Sequence, residues 1–183
     1  MVIDMRILAK KVNIPPYLHE LHGKQSSIFE LLITYTTAAL YAVIVLYLAR
    51  HLPVYKLAVL GFLSIDLAGG VVSNFTEGTN LFYIQRPKMR YMFISLHILQ
   101  PVILMWLFPN ELKNIAIISV YTLMAMIFIN SLSAYLRQRL YAAALTALGL
   151  TISFALNISQ PIVHLMLILF VIKLILAFSV RWK

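Results

Sequence analysis

Asp66-Leu67-Ala68-Gly69-Gly70-Val71-Val72-Ser73-Asn74-Phe75-Thr76-Glu77-Gly78-Thr79-Asn80 decides how the chain folds. The stretch starts inside a long apolar run, where it carries a carboxylate and a glycine pair. It then passes into an Asn/Thr-rich connector that leads to Arg86, Lys88 and Arg90. The next apolar run holds His97-Ile98-Leu99-Gln100-Pro101. Polar groups in runs this apolar need a membrane to explain the runs and one another to explain the polarity.

Working outward, composition gives the same answer. The chain is 62% hydrophobic and only 11% charged, with a mean hydropathy of +0.89. Soluble domains carry about a quarter charged residues. Apolar runs of about 20 residues fit spanning helices, whereas barrel strands alternate over about 10. The expectation is an all-α polytopic membrane protein, a bundle of six transmembrane helices with short loops, over 27–48, 54–72, 91–108, 115–136, 141–158 and 162–180. Residues 1–26 form a separate N-terminal segment and 27–183 the helical domain. No apolar run long enough for a cleaved signal lies in 1–26, so the first span is expected to direct insertion. Pro161 lacks an amide hydrogen, which favours a tight turn at Ser159-Gln160-Pro161 between the last two helices.

The formal charge of +9 does not point to nucleic acid, because the cations sit at the ends of apolar runs. Arg6, Lys10, Lys11, Lys24, Arg86, Lys88, Arg90, Arg137, Arg139, Arg181 and Lys183 fall on one side. Arg50, Lys56 and Lys113 fall on the other. That bias predicts a multi-pass protein of the cell membrane with both termini cytoplasmic. Cysteine is absent, which removes disulfides and thiol chemistry.

Several motifs fall away on geometry. Asn74-Phe75-Thr76 matches a glycosylation acceptor but is expected on the cytoplasmic side, and Asn157-Ile158-Ser159 lies too close to the bilayer. His19-Glu20-Leu21-His22 lacks the spacing that puts two imidazoles and a carboxylate on one helix face. Neither a metal site nor a cofactor is expected. Residues 1–12 place Ile3, Ile7 and Leu8 on one helical side and Arg6, Lys10 and Lys11 around the other, as in a short helix lying on the inner leaflet before Pro15-Pro16.

The polar residues within the spans fall at one level. Counted from the expected span ends, Asp66, His97, Asn130 and Lys173 all lie about 9 Å below the cytoplasmic boundary, with Thr34, Thr37 and Thr146 nearby. Asp66, Gly69, Gly70 and Ser73 share a helix face, as do Arg90, His97, Gln100 and Leu104. Asn130, Ser133 and Arg137 form a third stripe, and Thr146, Gly149, Ser153 and Asn157 a fourth. A charge at this depth costs about 2.5–3.5 kcal/mol, so such residues mark sites or pathways. Lipid offers them no partners, and the stripes must face one another.

The resulting expectation is a cytoplasm-facing polar cavity that binds, and moves, a small polar or anionic solute or a proton. Asp66 serves as the proton or cation site and His97 as its titrating neighbour. Asn130 and Thr37 orient, Gln100 and Lys173 join the ligand-binding residues, and Arg86 and Arg90 contact an anion beneath Asn74, Thr76, Thr79 and Tyr83. A second expectation makes Asp66 and His97 an acid–base pair acting on a lipid or isoprenoid phosphate. A third is a non-catalytic membrane subunit of a larger complex. Membrane lipids and a small ligand are the expected partners, with a partner subunit or a second copy as further options.

Overall fold

The computed structural model describes residues 9–182. It is all-α apart from one short strand pair. Strand β1 (Lys11–Asn13) pairs antiparallel with β2 (Gln25–Ser27), with Val12 opposite Ser26. Between them lie a 3-10 turn at Pro16–Leu18 and a single helical turn, α1 (His19–His22). The long helices are α2 (Ile28–Ala49) and α3 (Val54–Phe75). After α4 (Glu77–Ile84) come α5 (Pro87–Leu96) and α6 (Leu99–Leu107). The chain closes with α7 (Leu112–Ser131), α8 (Tyr135–Ala155) and α9 (Pro161–Val171), which continues as a π-helical segment, Ile172–Phe178.

Among the described residues five helical stretches are long and apolar enough to cross a membrane: α2, α3, Pro87–Leu107, Pro109–Ser131 and Pro161–Phe178. The expected fifth span is also a helix, α8, of 21 residues. It does not qualify on composition, because Arg137, Gln138 and Arg139 occupy its opening turns. The turn before Pro161 forms as expected, with α8 ending at Ala155 and α9 starting at Pro161.

Other expectations are corrected. Lys11 and Val12 are strand rather than the tail of a surface helix, since Val12 finds backbone partners opposite Ser26. Ile3, Arg6, Ile7 and Leu8 lie outside the described residues. The Asn/Thr connector is not a loop, because α3 runs on to Phe75 and α4 follows directly from Thr76. The third span is broken at His97-Ile98. Pro101 cannot donate to the His97 carbonyl four residues earlier, and its ring crowds that carbonyl.

Each boundary has a local cause. Ser27 opens α2 with a capping box: its Oγ accepts from the Glu30 amide at 3.1 Å, and Glu30 accepts from the Ser27 amide at 2.7 Å. Along α2 the buried residues are Thr34, Ala38, Ala42, Val45 and Ala49, small side chains that let α3 pack closely. The outward face carries Leu40, Val43, Ile44 and Tyr47, an apolar surface suited to lipid. The core runs through Leu60, Ile115, Ile118, Met126, Leu167 and Ile175. At one end of the bundle, the start of α5, the end of α7 and the end of the π segment meet through side-chain bonds.

Candidate functional site

Asp66 faces inward on α3, over the stripe of Gly69, Gly70 and Ser73, all buried. The missing side chain at Gly70 admits Lys173, whose Nζ lies 2.9 Å from where a Gly70 Cβ would stand. Lys173 Nζ donates to Asp66 Oδ2 at 2.7 Å. The lysine is 1% exposed, so its ammonium is held inside the bundle rather than turned outward along its flexible stem. The π segment places it there. Ser179 closes the widened last turn, its amide bonding back five residues to Leu174 O at 3.2 Å.

Gln100 Nε2 donates to the same carboxylate oxygen of Asp66. Gln100 sits in the first turn of α6, directly after the break at His97-Ile98. His97 itself is turned away. Its Nδ1 donates to Phe93 O at 2.7 Å, its ring stacks on Phe93 at 3.9 Å, and its Nε2 is buried without a partner. His97 is thus close to the ion pair but not hydrogen-bonded to it.

A cavity of about 230 Å³ opens on the other side of Asp66, between α2, α3 and α1. Its walls are Ala38, Gly69, Gly70, Phe62 and Ile65, and its polar groups are Asp66, Thr34, Ser73, His22 and Tyr35. The Asp66 side chain is 33% exposed. His22 is 2% exposed; its Nε2 meets the Tyr35 hydroxyl at 2.9 Å, while its Nδ1 has no partner. Burial holds the His22 imidazole below its ordinary pKa, with nearby Glu30 opposing. Phe62, Ile65, Tyr35 and Leu21 are exposed around the cavity, so its rim is apolar and its floor polar.

His22 reaches the cavity because residues 11–27 are strapped onto the bundle. Gly23 turns the chain with φ of 70°, a conformation that glycine adopts freely, and a side chain there would run into the Gly78 backbone. Thr79 Oγ1 donates to Leu21 O at 2.5 Å, and Lys11 pairs with Glu77 at 3.0 Å.

The connector residues therefore act as fasteners. Thr76 Oγ1 donates to Ser73 O at 2.7 Å, and Asn80 Nδ2 donates to Trp182 O at 2.9 Å. Asn74, Thr79, Asn80 and Tyr83 line a small void beside Arg90, but the space among them is about 10 Å³, room for about one water. Arg90 is committed elsewhere. Its Nε donates to Asn130 Oδ1 at 2.9 Å and one terminal nitrogen to Phe178 O at 2.7 Å and Ser179 O at 3.2 Å. It caps the last helix, whose final carbonyls carry partial negative charge. Asn130 Nδ2 is saturated by Met126 O and Ser179 Oγ.

The expected single polar layer thus resolves into two clusters, Asp66–Lys173–Gln100 and Arg90–Asn130–Ser179, separated by Phe93 stacked on Phe178 at 3.9 Å. Arg86 lies apart from both, its guanidinium over the Phe82 ring. Thr37, Ser133, Arg137 and Asn157 are exposed and join neither cluster. Ser133 and Arg137 lose their stripe because α7 ends at Ser131; Gln138 is buried in their place and accepts from the Arg181 amide at 3.1 Å.

The residues that sequence reasoning missed are His22 and Tyr35. Only the docking of the strap brings them to Asp66, and no local spacing encodes it. No family model, curated protein or solved structure matches the chain.

Proposed function

We propose that this is a six-span protein of the cell membrane, with α8 as its fifth span and both termini cytoplasmic, that binds the polar end of a small or amphipathic ligand beside Asp66. Lys and Arg bias supports the orientation, and the length of α8 supports the span count. The observation that carries the binding reading is the 230 Å³ cavity lined by both a partly exposed carboxylate, Asp66, and a buried histidine, His22, with an unpartnered Nδ1. More than nine in ten buried polar groups have partners. Gln100 Oε1 and His97 Nε2 are also unpartnered on the far side of the same ion pair.

Lys173 already balances the charge of Asp66, so the floor is close to neutral. It favours a hydroxyl, an amide or a transferable proton over a free anion. The apolar rim gives an attached alkyl chain a path toward lipid. An acid–base role in this cavity falls to Asp66 and His22, since His97 is bonded to its own helix.

The test uses the chain in nanodiscs and compounds of one chain length: decanol, decanamide, decanoate and decyltrimethylammonium. Decanol and decanamide raise the melting temperature, and decanoate does not. Ala38→Leu, which fills the cavity from its α2 wall, removes the response. Equal shifts for all four heads, or an Ala38→Leu protein that responds unchanged, refutes the reading.

A further inference from the structure

A cavity of about 440 Å³ lies away from Asp66, between the strap, the start of α2 and α4. Its charged lining is Lys11, Lys24 and Arg86 against Glu30 and Glu77. Both acids are committed to the protein. Glu77 holds Lys11 at 3.0 Å, and Glu30 accepts from the Ser27 amide and from the hydroxyls of Ser26 and Ser27. Lys24 and Arg86 are left over. The Lys24 ammonium has no partner among the described residues, and Arg86 spends one nitrogen on Phe82 O at 3.3 Å while its plane lies over the Phe82 ring. Amide groups complete the wall: Gln25, bonded to Asn13 at 3.0 Å, and Gln85.

We infer that this cleft binds an anionic phosphate group, with the Lys24 ammonium and the Arg86 guanidinium as its charged contacts. Two cations lining one cleft, neither paired with a carboxylate among the described residues and both beside amide groups, suit a tetrahedral oxyanion. The strap assembles the site, because Lys24 and Arg86 are 62 residues apart in sequence and meet only when Gly23 docks on Gly78. Exposed Leu81 on the same wall provides an apolar flank. The cleft lies at the cation-rich end of the bundle, where anionic headgroups gather. A phospholipid headgroup and a soluble phosphate share the chemistry, and the experiment separates them.

The full chain, delipidated in a neutral detergent, is titrated by calorimetry with dihexanoyl phosphatidylglycerol, dihexanoyl phosphatidylcholine and inorganic phosphate. Phosphatidylglycerol binds, more weakly as salt rises, and phosphatidylcholine does not. Lys24→Gln weakens binding about fivefold and Lys24→Gln/Arg86→Gln about 25-fold, at roughly a factor of five per cation. Lys113→Gln, on a different helix, changes nothing. Inorganic phosphate that binds alone, with the same loss in Lys24→Gln, supports the site and makes its natural occupant soluble. Because the Lys24 ammonium makes no bond to the described residues, Lys24→Gln keeps its melting temperature. Unchanged affinity in that variant, equal binding of phosphatidylcholine, or no binding of any probe overturns the inference. Ala38→Leu leaves these titrations as they are, so this site and the Asp66 cavity stand or fall separately.

Discussion

The Asp66 and Arg90 clusters contain the same kinds of groups in the same bundle, and they are built differently. Around Arg90 each described bond ends on a carbonyl, an amide or a hydroxyl, and the adjoining void is the size of one water. Around Asp66 the carboxylate is a third exposed, a 230 Å³ cavity adjoins it, and His22, Gln100 and His97 each leave a buried atom unpartnered. Charge within an apolar helix bundle alone does not mark a site. What distinguishes the two clusters is room: Asn74 Nδ2 and Asn80 Oδ1 are also unpartnered beside Arg90, but the void there holds about one water, whereas Asp66 opens on a cavity of about 230 Å³.

The strongest way to break this contrast is to unbalance the ion pair. Asp66→Asn leaves Lys173 buried without its counter-charge, and the loss is about 4 kcal/mol of unfolding free energy. Lys173→Met does the same to Asp66, less severely, because that carboxylate can draw water from the cavity. The double variant Asp66→Asn/Lys173→Met regains most of the stability, since the pair itself contributes little once desolvation is counted. Denaturant titration in mixed micelles measures all three. Additive losses in the double variant contradict a balanced pair.

Arg90→Met comes next, at about 3 kcal/mol, because Asn130 Oδ1 and two terminal carbonyls lose a charged donor inside the bundle. Ligand response at the Asp66 cavity is kept in whatever fraction stays folded. A variant that folds normally and loses the decanol response makes Arg90 part of the site and erases the distinction. Gly70→Ala is smaller, about 2 kcal/mol, because the added methyl overlaps the Lys173 stem and forces the ammonium off Asp66. Gly61→Ala is the control, since its Cβ meets Leu46 at an ordinary 3.6 Å.

Both clusters were partly legible in the sequence. Helical periodicity put Asp66 on the Gly69–Gly70–Ser73 face and Arg90 on the side of His97 and Gln100, and depth counting put Asn130 and Lys173 level with them. The pairing was not legible, because one level fits several partnerships and Lys173 meets Asp66 only through the widened turn of 172–178. The break at His97 was open to inspection, given Pro101 four residues on. The strap was not, since Gly23 packs backbone to backbone on Gly78 and the Thr79 hydroxyl meets a main-chain carbonyl, that of Leu21. For the same reason Thr76, Thr79 and Asn80 resemble ligand donors in sequence and prove to be fasteners in space.

The smallest effect concerns His22, which covers one cavity and has no counterpart at Arg90. Its imidazole is neutral and buried, with a pKa below the ordinary value of about 6.5, while an undocked strap titrates near that value. Above it neither form binds a proton, and docking keeps its full strength. As pH falls through it, the undocked strap takes up the proton first and docking weakens. Glu30 on α2 opposes the shift, Asp66 lines the same cavity, and His19 on the same turn is tied to Ile14 O at 2.8 Å. Hydrogen exchange at Leu21 to Gly23, corrected for the intrinsic rate, therefore accelerates between about pH 7.5 and about 5.5, while amides of α7 beside Arg90 do not change. His22→Gln abolishes the acceleration and His19→Gln preserves it. If His19→Gln is the variant that flattens the profile, the titrating group lies outside the cavity and His22 serves only as packing.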